Sequence, residues 1–337
     1  MTGRIFLMKQ RVKVIAKRVL PARGIDKWKK MRAIWSNTRE AMIDAKRHRF
    51  YGGPGEGSFN AVWNGRQLET QLTKDYHRVE KGLALREPKR PFGAEVEKRL
   101  RVGLGALTNK DSNPMGYGAY AESALAALQS WNAGGDVDDT VALRVSRDDV
   151  FRQIENGQSS NVTWNSFFTS RRSVRDFDNS IEVDLADIEA AVVLATNTPS
   201  VCNRQAFRVH MFTGKTAVAD VLAQQNGNAG FRSSIPVVLA VTVDVRLFSG
   251  PSERNQRWID GGLFAMTLGW ALHSRELGTC FLNWSMKNSE SNAFRASAGI
   301  AAHEDIITLI AVGIPPQSFK VARSPRRQIG EILVQHV

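Results

Sequence analysis

Cysteine is nearly absent: Cys202 and Cys280 are the two in 337 residues. That excludes a disulfide scaffold and a Cys-rich metal centre, and it fits a reducing compartment. Long apolar runs are missing too. The longest, such as Ala190–Ala195 and Ile235–Val241, reach six or seven residues, whereas a membrane-spanning helix needs about 20. The N-terminus lacks the uninterrupted apolar core of a secretory signal, so a soluble, cytoplasmic protein is expected. There is no Gly-x-Ser-x-Gly, Walker loop, His-Glu-x-x-His or Cys-x-x-Cys, and no Gly-x-Gly-x-x-Gly behind a strand. Those absences remove the common hydrolase, P-loop, zinc-protease, thioredoxin-like and Rossmann sites. No metal site is expected, and no side chain stands out as a catalytic acid or base.

What is present is an uneven charge. The net charge is +13, and residues 1–50 carry 15 Lys and Arg against 3 Asp and Glu. A basic arm is thus attached to a nearly neutral body. From Arg4 to Leu20, Ile5, Met8, Val12, Ile15 and Val19 recur at spacings of three and four between cations. That predicts an amphipathic helix, suited either to an anionic membrane surface through residues 4–20 or to packing on the body. A protein held peripherally at the inner face of the membrane would follow from the first. The arm lacks any recognisable nucleic-acid-reading motif, which argues against that partner.

The patterning divides the chain into a basic helical arm over 1–50, a helical region over 51–160 and a mixed domain over 161–337. Helices are expected at 27–49, 67–83, 93–108 and 119–132, around the breaker Gly52–Gly57 and an acidic linker at 134–139. No sheet-forming alternation is evident before residue 150. Beyond it, helices at 184–196, 215–225 and 254–276 intermix with strands at 208–212, 236–243, 279–284 and, last, 306–312. The mixture lacks a strict βαβ rhythm, which makes an α+β layered fold the expectation.

Four polar clusters fall in the second half. Arg171-Arg172-Ser173-Val174-Arg175-Asp176-Phe177 gathers guanidiniums suited to a phosphate, or forms a solvated charged turn. Thr198–Phe207 is a loop dense in amides and hydroxyls, which a capped turn would also explain. Leu277–Trp284 is a strand entered from a long helix, equally readable as plain core. Gly313-Ile314-Pro315-Pro316 precedes the basic Arg323-Ser324-Pro325-Arg326-Arg327, where a solvated tail is the plain alternative. Outside them, His77, Glu80 and Lys81 share one helix face, either as a substrate-contacting patch or as a salt-bridged helix end.

In their order and spacing, these clusters resemble the FMN-dependent nitroreductase superfamily, over roughly residues 165–335. The resemblance implies a three-layer α+β fold with a central, mostly antiparallel sheet, here with a helical N-terminal extension. It implies that Arg171, Arg172 and Ser173 hold the FMN phosphate and ribityl chain, and that Arg175 approaches the pyrimidine edge of the flavin. Pro199, Ser200, Asn203 and Gln205 match a loop that reaches the flavin of the neighbouring subunit of a homodimer. Asn283 and Trp284 would pass near the ring, Arg323 and Arg326 would complete the phosphate site, and Asn228 would offer a polar contact. Ala206-Phe207 replaces the family's frequent Pro-Trp, and Val201 and Cys202 replace small residues. Both cysteines thus fall in flavin-lining motifs, where small buried filler is the expected role.

The implied activity is ping-pong hydride transfer from NADH or NADPH through flavin N5 to a small-molecule acceptor, nitroaromatic- or quinone-like in vitro. Such chemistry needs no dedicated acid or base, because the cofactor carries the hard step. Two alternatives stand beside it: a flavin oxidase or dehydrogenase acting on a peptide- or sugar-linked substrate, and a non-catalytic flavin-fold binding or scaffold module.

Overall fold

A computed structural model describes residues 22–51, 65–107, 116–151, 164–248 and 253–336. The expected arm helix over 4–20 and the breaker at 52–57 lie outside the described residues. The chain forms two compact units. One comprises residues 1–53 and 246–256. Its described part is dominated by helix α1, Ala22–Tyr51, on which Met31, Ile34, Trp35 and Met42 are exposed.

The second unit, residues 54–245 and 257–337, is built on a four-stranded antiparallel sheet. Its strands are β2 (Phe207–Thr213), β3 (Val237–Asp244), β4 (Gly278–Asn283) and β5 (Glu304–Gly313), in the order β2-β3-β5-β4. Strand β3 is buried along its whole length, and its alternate residues feed two separate cores because successive side chains point to opposite faces. Val237, Leu239 and Val241 join Ile310 and Val312 against α9 (Gln256–His273) and α7 (Leu185–Ala195). Val238 and Ala240 join Leu309, Ala311, Cys280 and Leu282 against α8 (Lys215–Ala223) and Phe294 of α10 (Asn288–Ala298). The result is helix, sheet, helix: the expected three-layer α+β arrangement. Helix α9 comes close to the sheet at Gly261, where an added Cβ would sit 2.5 Å from Ile307 Cγ1 and 2.8 Å from Val243 Cγ2.

A third core belongs to the N-terminal helices α2 (Gly65–Leu83), α3 (Ala94–Gly105) and α4 (Tyr117–Asn132). Leu72, Val79, Leu83, Leu100, Ala124 and Leu128 fill it. Two short strands join this region to the rest: β1 (Ala142–Ser146) pairs antiparallel with β6 (Ser318–Ala322). Both correct the sequence reading, which had no strand before residue 150 and took 306–312 as the last. Five residues give little alternation to detect, and among the described strands each has only the other as partner. Phe319 and Val321 of β6 are buried in the sheet's core, which holds the pair in place. Helices α2–α4 and the four-stranded sheet therefore fall in one compact unit. Short helices α5 (Arg147–Phe151), α6 (Trp164–Ser170) and α11 (Ile329–Ile332) complete the described α-helices.

Candidate functional site

The Arg171–Phe177 segment leaves α6 and lies along the edge of the sheet. Ser173 bridges Thr279 in parallel, and the Val174 N–H donates to the Thr279 carbonyl at 2.9 Å. Val174 and Phe177 are buried in the core, and Arg171, Arg172 and Arg175 line a cleft. That cleft, of about 390 Å³, is lined by Phe168, Thr169, Arg171–Ser173, Arg175 and, from the end of β6 and the chain after it, Ala322–Arg326. The volume falls within the usual range for small-molecule sites.

The lining contains five guanidiniums and no carboxylate. Asp176, within the motif, is turned to Arg86, whose Nε donates to it at 2.7 Å. Arg175 is buried, its Nη1 reaches only the Ser173 carbonyl at 3.4 Å, and its Nε has no partner among the described residues. Such an orphaned buried donor is rare and asks for a partner. Arg172 is oriented by bonds to the Thr169 and Arg171 carbonyls, and Arg326 by a 2.7 Å bond to the Ser324 carbonyl. Burial, reinforced by Arg326 and Arg172, lowers the Arg171 pKa, and burial with Arg326 does the same to Arg172. The cations crowd one another, and an anion between them would relieve that. The donor set therefore fits a phosphate-bearing ligand such as FMN.

An aromatic wall backs the cations. Trp270 of α9 lies 4.7 Å from Phe168 and 5.4 Å from Phe167, centroid to centroid, and Arg171 sits over its ring at 5.6 Å. Next to it His273 is buried with Nε2 2.9 Å from the Ser170 hydroxyl. Burial first, then Arg171 and Arg172, pushes its pKa down to about 4. Trp270 and His273 were not singled out in the sequence, although their i,i+3 spacing on a long apolar helix was a usable signal. Lys81, expected either in a substrate-contacting patch or in a salt-bridged helix end, lies close enough to be influenced by the motif. Its pKa is lowered by burial and then by Arg175, so this cation of the N-terminal helix α2 lies in the field of the motif.

The other expected contacts fall elsewhere. Asn283 and Trp284 lie at and just beyond the far end of β4, about 13 Å of strand from the Thr279 bridge. The Asn283 carbonyl accepts from Gln225, and Trp284 donates to Ser291 and packs on Phe294. Asn228 is completely buried and bonds Leu222, Gln225 and Arg232, so the structure uses it to close a turn. Arg323 reaches the cleft but its Nε is engaged by Glu80 at 3.3 Å.

The Pro199–Gln205 loop does not line the cleft. The Val201 N–H donates to the buried Asp260 of α9 at 3.1 Å, Ser200 Oγ accepts the Gln205 N–H, and Gln205 bonds Asn203. Cys202, Asn203 and Gln205 all hold positive φ, between 49° and 53°. Three non-glycine residues in that region within four positions is a costly backbone, of the kind found at functional sites. Cys202 is exposed, which corrects its expected role as buried filler. Cys280 is buried and burial raises its thiol pKa, so it serves as core.

No match was found among curated proteins. The second half resembles a nitroreductase family protein from Streptococcus pneumoniae TIGR4 (22% identity, 52% of this chain and 100% of that one, TM-score 0.44). It also resembles an FMN-dependent nitroreductase from Clostridium difficile R20291 (14% identity, 51% and 98%, TM-score 0.43). The family model described as the nitroreductase family matches residues 168–229, so the recognition that began with the Arg171–Phe177 and Thr198–Phe207 clusters stands on that segment, and this part of the chain is nitroreductase-like.

Proposed function

We propose that the protein is an FMN-dependent oxidoreductase. The observation that carries the reading is the cleft itself, where Arg171, Arg172, Arg175 and Arg326 converge without a carboxylate and Arg175 Nε is left unpartnered among the described residues. Arg171, Arg172 and Arg326 would hold the phosphate through charge-assisted bonds, which are roughly twice as strong as neutral ones. Arg175, the most buried of the four, sets a fixed cation in a poorly solvated place and favours negative charge on whatever it faces. When bound, FMN would supply hydride transfer from NADH or NADPH, in ping-pong fashion, to a small organic acceptor. The protein is expected to purify yellow with about one FMN per chain, identified by chromatography after denaturation. A colourless protein that also ignores added FMN would end this reading.

A homodimer belongs to the same proposal. Trp258, Ile259 and Leu263 form an exposed apolar face on α9, between 45% and 52% accessible, and the strained Pro199–Gln205 loop is anchored to that helix through Asp260. Apolar exposure of this kind marks an interaction surface. Light scattering at micromolar concentration should give a mass near twice 37.4 kDa; a monomer that holds FMN tightly contradicts it.

A further inference from the structure

Helix α2, outside the nitroreductase-matched segment, sends one fully buried carboxylate toward the cleft. Glu80 has no accessible surface. Its Oε1 accepts from Arg323 Nε at 3.3 Å, and its Oε2 accepts the Ser324 backbone N–H at 3.3 Å and lies 3.1 Å from His77 Nδ1. Arg323 is further fixed by Ser123 Oγ at 3.4 Å, the Tyr120 carbonyl at 3.5 Å and the Tyr120 ring at 4.9 Å, all on α4. Ser324 holds φ at +45°, a conformation a serine adopts only when its surroundings impose it. Two residues later the chain delivers Arg326 into the cleft.

We infer that Glu80 is a positioning residue for the anion site: it clamps the Arg323–Ser324 turn, so that the turn presents Arg326 to the ligand's phosphate. The inference rests on the proposed FMN reading. Two features separate this role from simple core filling. Glu80 neutralises Arg323, the one cleft arginine with a carboxylate bonded to it among the described residues, which leaves the other cations to the ligand. It also accepts from the main chain of the turn, so it fixes the direction of the turn as well as a side chain. The N-terminal helices thereby support the Arg323–Ser324 turn from outside the cleft lining, and His77, on the same face, donates to the Glu80 carboxylate and does not need to meet a substrate.

The test is titration of the apoprotein with FMN and, separately, with riboflavin, which lacks the phosphate. For Glu80→Gln, FMN affinity should fall about 10-fold or more while riboflavin affinity stays within roughly twofold of wild type. Glu80→Asp, which keeps the charge on a shorter stem, should show a smaller loss of the same selective kind, and it serves alone if the glutamine variant fails to fold. A Glu80→Gln/Arg326→Ala double variant should lose no more FMN affinity than Arg326→Ala, because both act through one contact. Unchanged FMN affinity, or equal losses for the two flavins, would overturn the inference. Wild-type protein that binds neither flavin would instead overturn the FMN reading itself.

Discussion

Replacing Arg171 by alanine is expected to weaken FMN binding roughly 10- to 150-fold, and Arg326→Ala to do the same. Each removes a charge-assisted contact worth about 1.5–3 kcal/mol. The structure adds a second expectation with the opposite sign. In the ligand-free cleft, burial and the neighbouring Arg326 and Arg172 already act against the charged form of Arg171. Removing it should therefore leave the apoprotein as stable as wild type or more so, although its guanidinium sits over the Trp270 ring. Ligand-linked stabilisation should shrink at the same time, since the gain follows RT ln(1 + [L]/Kd). The diagnostic is a melting temperature that rises or holds without FMN and falls behind wild type with it. Because the two cations repel, the double variant should cost less than the sum of the singles. Unchanged FMN affinity in both single variants would show that the cleft holds no phosphate.

The cleft was legible in the sequence to an unequal degree. Arg171, Arg172 and Arg175 could be read because they are contiguous, and a local cluster keeps its meaning whichever way the chain folds. Arg326 could be read only through its place in the order of clusters, since 150 residues separate it from the others. The plain reading of 323–327 as a solvated tail holds only in part: Arg326 and Arg327 are exposed, while β6 and Glu80 bring Arg323 and Ser324 onto the cleft. Asn228 shows the reverse: the resemblance offered it as a polar contact, and the turn around Gln225 uses its amide. An amide satisfied by its own backbone neighbours has the same sequence as one waiting for a ligand.

The layers were legible for a different reason. Val237–Asp244 and Glu304–Gly313 are strongly apolar and β-branched, and burial on both faces lets such runs be recognised without alternation. β1 and β6 escaped because their pairing is non-local and each is short. The face shared by His77, Glu80 and Lys81 was correctly identified as a face, yet its meaning depends on Arg323, 243 residues away from Glu80. Spacing along a helix gives the direction of side chains, and only tertiary contact tells what they meet.

His273 should make the fold acid-sensitive in a window set by its own proton. In the unfolded chain its pKa is the ordinary 6.5; in the fold, burial and then Arg171 and Arg172 bring it down to about 4. Between those values the unfolded chain binds a proton that the folded one refuses. Stability therefore falls as pH drops from 6.5 toward 4, by up to about 3 kcal/mol, with no contribution above the window and no further loss below it. Other groups titrate there too, so the informative quantity is the difference between wild type and His273→Gln, whose amide can still bond the Ser170 hydroxyl but carries no titrating proton. Urea unfolding of both proteins from pH 7 to pH 4.5 should give curves that diverge, with the wild type losing stability faster. Inorganic phosphate in the neighbouring cleft should narrow the divergence, because it offsets the Arg171 and Arg172 charges. It should not abolish it, because burial is the larger cause. Parallel curves would mean that His273 titrates as it does in water, and that the aromatic wall behind the cations is wetter than its burial implies.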